Sequence, residues 1–398
     1  MVSFVTDFAV LSHILPPSPS GQAVVLCRLL KDLPPERYCL ISLGSNTDER
    51  QEAATVRLPG AYHRLRPGCQ LPTIDILNVG AIIAPLNAAC EISRRAKQIE
   101  EVLVGERCRL VVACSGDLYD LPAAHRACAG LGLELIPYIF DDYLWQWTGH
   151  SRSVARRMEP AAMKYARCVI VPNEFLAEEY RRRYGVSCVV VHNPAVMHDP
   201  DELDGSACGS VGGINIVYTG AVYHAHFDAF RNLIAAVESL GRKDLKLHIY
   251  TAQPESELRQ KGIAGSAVVY HQHIPHDEVH AVLRNADILF LPLAFRSPIP
   301  EVIRTSSPGK MAEYFFAGRP VFVHAPADSY VSWYCRLNKC GEVADKEDPA
   351  ILAEALLRLI SDAGLRKEYG RNALTAAERD FSIPEARRAF HEALGIRE

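Results

Sequence analysis

A chain of 398 residues, 48% of them apolar and 23% charged, is long enough for two α/β domains with full cores and has none of the composition of a disordered protein. Its formal net charge of -4, with no basic domain, gives no electrostatic reason to expect nucleic acid as a partner. No apolar run approaches the roughly 20 residues of a membrane span, so any membrane contact is expected to be peripheral.

Apolar runs of strand length alternate with helical patterns almost from end to end, the pattern of parallel sheets built from β-α-β units. The first strand is expected over Val2 to Phe8, and a proline and serine loop, Leu15 to Ala23, passes through Gly21 into an amphipathic helix from Val24 to Leu33. A loop of this kind after a first strand is where open α/β sheets place ligands. Strands follow at Tyr38 to Leu43 and Leu110 to Ala113, with a long helix from Ile82 to Leu103 between them. On that helix Arg94, Arg95 and Lys97 oppose Glu91, Glu100 and Glu101, which reads as an exposed, salt-bridged face.

Leu133 to Phe140 reads as a buried strand ending on Asp141-Asp142-Tyr143-Leu144-Trp145-Gln146-Trp147. Adjacent acids before aromatics at the end of a core strand are candidates to hold a substrate hydroxyl; the alternative is a pair that caps the next helix or meets Arg152 or Arg156. Trp145 and Trp147 suit either a sugar ring or the core. Next come a helix from Ser151 to Ala166, a strand from Cys168 to Pro172, a helix capped by Asn173 that runs to Tyr184, and a strand from Cys188 to His192. Arg181 to Arg183 read either as a solvated helix end or as a patch steering an anionic ligand. The turn-rich stretch Asp199 to Gly213 marks a boundary, giving a first domain over 1–198 and a linker over 199–213.

The second domain, 214–380, restarts with a strand at Ile214 to Thr219 that runs into Gly220-Ala221-Val222-Tyr223-His224. A helix is expected from His226 to Leu240, strands at Leu245 to Tyr250 and Ala267 to Tyr270, a helix from Pro275 to Asn285 and a strand at Ile288 to Leu291. Then comes T-S-S-P-G-K-M-A-E-Y-F-F-A-G-R-P-V-F-V-H, Thr305 to His324, read as a polar loop, a helix starting at Ser307 or Pro308, and a short strand. The free N–H groups of that helix start, with Ser307, Gly309 and Lys310, make a phosphate cradle that needs no metal. Glu313 shares their side of the helix and suits a sugar hydroxyl, while Gly318 ends the helix. Helices at Ala350 to Ile360, Leu365 to Asp380 and Ile383 to Leu394 close the chain, and residues 381–398 are expected to pack back on the first domain.

Twelve cysteines without a C-x-x-C pair, and no secretion signal ahead of them, read as reduced, mostly buried thiols of a cytoplasmic protein. No H-E-x-x-H and no Cys/His cluster is present, and the one D-x-D, Asp199-Pro200-Asp201, lies in the linker. Neither a metal site nor a cofactor is therefore expected.

Taken in order, P-P-S-P-S-G at Pro16 to Gly21, V-P-N-E-F-L-A-E-E-Y-R-R-R-Y-G-V at Val171 to Val186, V-H-N-P at Val191 to Pro194, I-V-Y-T-G at Ile216 to Gly220, A-D-I-L-F-L-P-L at Ala286 to Leu293 and S-S-P-G-K-M-A-E-Y-F-F-A-G-R-P-V at Ser306 to Val321 resemble the large retaining class of GT-B glycosyltransferases, the glycosyl transferases of group 1. The resemblance covers nearly the whole chain. It implies two Rossmann-like domains facing each other across a cleft, a nucleotide-sugar donor on the second, and a glycan or lipid-linked glycan acceptor on the first. By that resemblance Glu313 holds the donor ribose, Ser307, Gly309 and Lys310 cradle the diphosphate, and Gly220 lets a loop approach it. His273 or Ile274 meets the base, and Gly21 belongs to the loop closing on the donor. Asp141 and Asp142 stand where relatives present a catalytic His or acid, and His224 and Arg296 are possible phosphate contacts. Location is expected in the cytoplasm or at the inner face of the membrane.

Two departures stand out. The position eight before Glu313, a glutamate in many relatives, is Thr305, with Glu301 four residues out of register. The basic residues that often follow the glycine of the second domain are replaced by Tyr223, His224 and His226. Competing readings are a nucleotide-sugar epimerase of similar architecture and a non-catalytic partner protein.

Overall fold

The computed structural model describes residues 6–43, 56–68, 79–196 and 213–396. The chain forms two compact units, Met1–His192 with Arg387–Glu398, and Asn193–Ala386.

The first unit is built on a seven-stranded sheet, every described pairing parallel. In chain order its elements are β1 (Phe8–Leu11), α1 (Gly21–Leu30), β2 (Tyr38–Ser42), β3 (Ala61–Arg64), α2 (Val79–Glu106), β4 (Leu110–Cys114), α3 (Asp120–Leu131), β5 (Glu134–Tyr138), α4 (Gly149–Tyr165), β6 (Val169–Val171), α5 (Glu174–Tyr184) and β7 (Cys188–Val190). The strand order β3-β2-β1-β4-β5-β6-β7 reverses direction beside β1. The central strands are apolar on both faces because helices cover both, which is why they read as continuous hydrophobic runs.

The first strand is Phe8–Leu11, not Val2 to Phe8, and Val2 to Val5 lie outside the described residues. Phe8 pairs with Tyr38 and Leu110, while Asp7 before it is turned out to Arg37 and Arg109 at 2.7 and 3.0 Å, so the charge marks where the strand enters the core. The face of α2 read as exposed is also corrected. Arg95 is 4% exposed and Glu91 7%, because α3, which carries no strong sequence signal, packs along α2 and brings Asp117 and Asp120 to Arg95 at 2.6 and 2.5 Å. Of the last residues, Phe390 stacks its ring near Phe8 and Tyr138, with centroids at 6.4 and 6.3 Å, and Arg387 donates to the Arg28 carbonyl at 2.7 Å.

The second unit holds a six-stranded parallel sheet in the order β10-β9-β8-β11-β12-β13. Its elements are β8 (Ile214–Thr219), α6 (Phe227–Ser239), β9 (Leu245–Tyr250), α7 (Glu255–Gln260), β10 (Val268–His271), α8 (His276–Arg284), β11 (Ile288–Pro292), α9 (Pro300–Thr305), α10 (Gly309–Phe316), β12 (Val321–His324), α11 (Tyr330–Asn338), β13 (Gly341–Ala344), α12 (Pro349–Ser361) and α13 (Ala363–Asp380), with α14 (Ile383–Leu394) at the end. One core packs Ile216 and Tyr218 of β8 against Phe230 and Leu233 of α6 and Leu352 and Leu356 of α12. Here too the order reverses beside the first strand, between β8 and β11, so the crevice past their carboxyl ends is the topological place for a ligand. The expected linker lies outside the described residues except for Gly213. None of the helices described is long and apolar enough to cross a membrane.

Arg95→Ala would leave buried Asp120 without its cation and Glu91 with Arg94 alone. We expect it to cost about 3–5 kcal/mol of stability, read as a lower urea midpoint at unchanged slope.

Candidate functional site

The stretch singled out from the sequence docks onto the end of β8. Helix α10 starts at Gly309, one or two residues later than expected, because Pro308 keeps an extended ψ of 132° and Ser307, preceding a proline, is disfavoured from the helical region. The loop before it is pinned by Asn193, whose Nδ2 donates to the Ser307 carbonyl at 2.9 Å. Ser306 and Ser307 do not cap the helix: its N-cap position is Pro308, and Ser307 Oγ is buried with no hydrogen-bond partner. The first amides of α10 therefore face outward from an extended lead-in, as an anion site requires.

From the first turn of α10, Lys310 Nζ donates to the Tyr218 hydroxyl at 2.5 Å. Tyr218, fully buried on β8, donates its hydroxyl hydrogen bond to the Ala221 carbonyl at 2.5 Å and so holds the loop after β8. Gly220 in that loop has φ +108°, a conformation closed to most side chains, and a Cβ there would stand 3.4 Å from Lys310 Nζ. One turn along α10, Tyr314 receives the Thr219 N–H at 3.0 Å and completes the clamp between helix and strand end. Burial pulls Lys310 down to about 7, against the charge of Glu313, which favours protonation. His226, buried beside this group with Nδ1 3.4 Å from the Tyr218 hydroxyl, is held well below its ordinary range first by burial and then by the Lys310 charge. The result is a buried lysine that donates to a neutral phenol beside a glycine loop, where a diphosphate would add negative charge.

Gly220, Lys310 and Glu313 are thus brought together, with Ser307 and Gly309 next to them in the chain. His224 and His273 are exposed, in the loops leaving β8 and β10. Arg296, a possible phosphate contact by sequence, instead extends to Glu347 at 3.1 Å, while its backbone N–H meets Asp228 at 2.8 Å. Thr305 is 4% exposed and donates to the Glu301 carbonyl at 3.1 Å. The helical turn of α9 therefore sets Glu301 on the same face as Thr305, with one carboxylate oxygen buried and unpartnered. Tyr218, Tyr314 and Asn193 were missed from the sequence; a tyrosine inside a core strand, whose hydroxyl must find a partner, was the available signal for the first.

In the first unit, Gly21 is the opening residue of α1 with open space at its Cβ. The acidic pair divides. Asp141 is exposed. Asp142 is 1% exposed; its Oδ1 accepts the Leu144 and Trp145 amides at 3.1 and 3.3 Å and its Oδ2 pairs with Arg183. That carboxylate caps the turn after β5, so the partner is Arg183, not Arg152 or Arg156, and no oxygen is left for a reacting group. Arg152 lies over Trp145 at 5.0 Å and donates to the Trp147 carbonyl at 2.6 Å, and both indoles pack against the core. Among the described residues no cluster of three His, Cys, Asp or Glu side chains is arranged to hold a metal ion.

Residues 213–362 match the family model described as Glycosyl transferases group 1. The second unit is a group 1 glycosyltransferase domain. No curated protein matches the chain by sequence. Among solved structures, sucrose-phosphate synthase from Thermosynechococcus elongatus is similar at a TM-score of 0.71 and 13% identity, covering 97% of this chain and 98% of its own. HepE of Anabaena, in complex with UDP-glucose, is similar at 0.67 and 14%, with 98% and 99% covered. A UDP-N-acetylglucosamine 2-epimerase described from Listeria monocytogenes follows at 0.58 and 14%, with 96% and 94% covered. At such identities these likenesses establish the fold: the group 1 domain and the unit before it are the two Rossmann-like halves of a GT-B architecture.

Two outcomes are expected here. Because an anion beside Lys310 raises its proton affinity, a nucleoside diphosphate should bind with uptake of a proton at pH 8. Its affinity should be flat below pH 7 and fall by up to about tenfold per pH unit above, measured by calorimetry in buffers of different ionisation heat. Asp142→Asn should lower stability by about 3 kcal/mol because buried Arg183 loses one of its three acids, whereas Asp141→Asn should leave the unfolding midpoint unchanged.

Proposed function

We propose that the protein is a glycosyltransferase that moves a sugar from a nucleoside diphosphate to a hydroxyl of a glycan or lipid-linked glycan, with retention and without a metal. The observation that carries this is the clamp of Lys310 between the Tyr218 hydroxyl and Gly220 at the start of α10, with Glu313 one turn on. A sugar bound through its anomeric carbon to a diphosphate departs by breaking that C–O bond, and the diphosphate carries away the electron pair. Lys310 and the first amides of α10 stand where that charge develops, and Glu313 suits the ribose hydroxyls. Asp141 remains the candidate of the first unit for a sugar hydroxyl, since both oxygens of Asp142 are used. HepE, a similar structure, is described with UDP-glucose, which makes uridine nucleotides the first donors to try. The protein is placed in the cytoplasm or at the inner face of the membrane by this reading, since nucleotide sugars and such acceptors meet there.

The similar epimerase structure supports a second reading, in which the same site would convert the sugar on its nucleotide without releasing diphosphate. Titration with UDP, GDP, ADP and dTDP in the presence of a chelator separates these readings from a chain that has lost its ligand. Selective binding of one nucleotide supports a donor site, and release of that diphosphate from its sugar conjugate supports transfer over epimerisation. Glu313→Ala should weaken the selected nucleotide by about 1–3 kcal/mol, and an unchanged affinity removes this residue from the site.

A further inference from the structure

The chain enters the second unit at Asn193-Pro194-Ala195, and contacts within that unit fix this short segment. Ala195 bridges Ser382 and donates its N–H to the Phe381 carbonyl at 3.0 Å. Asn193 reaches the loop before α10, where its Nδ2 meets the Ser307 carbonyl at 2.9 Å. A carbonyl only accepts, so the atom facing it is the amide nitrogen and Oδ1 is turned away from it. Among the described residues that oxygen, buried on a residue 9% exposed, has no hydrogen-bond partner. Ser307, also 9% exposed, carries a second such atom, its buried Oγ. Thr305, two residues earlier, does not reach in to satisfy them by its hydroxyl, which is given to the Glu301 carbonyl at 3.1 Å.

Two unpartnered polar atoms, on residues already in contact, thus lie beside a helix start whose first amides are open. Buried polar atoms are rarely left unmade, so the pair calls for a bound group. The chemistry of the two atoms says which. An amide oxygen is an acceptor only, so it repels a phosphate oxygen and takes a donor, while a serine hydroxyl both gives and takes. A single hydroxyl, donating once and accepting once, satisfies both. Its place along the ligand follows from the order of groups on the chain. Glu313, one turn into α10, suits the ribose, and Gly309 and Lys310 suit the diphosphate. Asn193 and Ser307 lie ahead of the helix start, on the side away from Glu313, so a ligand laid out as ribose, diphosphate and sugar brings the sugar to them.

We propose that Asn193 Oδ1 and Ser307 Oγ hold one hydroxyl of the transferred sugar, the hydroxyl donating to Asn193 and accepting from Ser307, and that this pair selects the donor by its sugar. The inference deepens the transferase reading and rests on it. One amide then has two tasks: its nitrogen fixes the loop before α10, and its oxygen reads the ligand.

The full chain is titrated by calorimetry, without acceptor, with the nucleoside diphosphate selected as above, with its glucose, galactose and mannose conjugates, and with the monodeoxy analogues of the conjugate that binds best. Wild type should bind one monodeoxy analogue about tenfold more weakly than its parent. Asn193→Ala should no longer distinguish that analogue from the parent. Any weakening of the nucleoside diphosphate in this variant measures the loss of the loop contact, and a further loss of about tenfold on the parent conjugate measures the hydroxyl. Ser307→Ala, which leaves the carbonyl held by Asn193 in place, should lose the same discrimination, and it carries the test should Asn193→Ala not fold. If the pair only fixes the loop, or holds a water, both variants weaken conjugate and nucleoside diphosphate by one factor and discriminate among the analogues as wild type does. That result overturns the proposal, as does a wild type that binds every monodeoxy analogue as tightly as the parent. A wild type that binds no nucleotide at all instead brings down the transferase reading itself.

Discussion

The hydroxyl of Tyr218 is the contact on which the second unit's site depends. It lies under the end of β8, accepts from Lys310 and donates to the Ala221 carbonyl, so one oxygen joins the helix α10, the strand and the glycine loop. A buried phenol is a neutral partner, and it cannot offset the cost of desolvating an ammonium group. Lys310 consequently sits close to the point of losing its proton. A bound diphosphate, as proposed, would offset that penalty; the place has no side chain at Gly220 and an extended Ser307-Pro308 lead into α10. Preorganisation of this kind is what makes charge stabilisation effective, because nothing has to be reoriented when the charge appears.

The first unit spends its buried charges differently. Arg95 gathers Glu91, Asp117 and Asp120, and Arg183 gathers Asp142, Glu159 and Glu179, each cation matched by several acids in the interior. Glu159 is further held by the Tyr180 hydroxyl at 2.6 Å and by Tyr184. Such networks perturb proton affinities as strongly as an active site does, and Asp142 shows how a sequence-level candidate can belong to one. What separates it from Lys310 is satisfaction. Both oxygens of Asp142 are used, whereas the hydrogen bond of Lys310 goes to a neutral phenol.

Chain order and periodicity were enough for most of the architecture. The strands Ile214–Thr219 and Leu245–Tyr250, the helix capped by Asn173 and the final helix Ile383–Leu394 stand as read, because core strands of a parallel sheet are unbroken apolar runs and helix caps are local. The elements not foreseen, β3, α3, α7, α9, α11 and β13, are short or weakly patterned: β3 lies at the sheet edge with little burial, and α9 is a helix of 6 residues ended by the extended lead to Pro308.

The sequence by itself determined the α/β class, the alternation that makes two parallel sheets, and the grouping of Ser307, Gly309, Lys310 and Glu313 around one helix start, since these rest on periodicity and on neighbours within one helical turn. Tertiary structure alone decided which charges are interior and which residues meet. Tyr218 and Lys310 are 92 residues apart, and Arg183 and Asp142 are 41 apart. Parallel strands bring residues from distant segments to one end of a sheet, and a side chain's role is then set by partners that no local pattern contains.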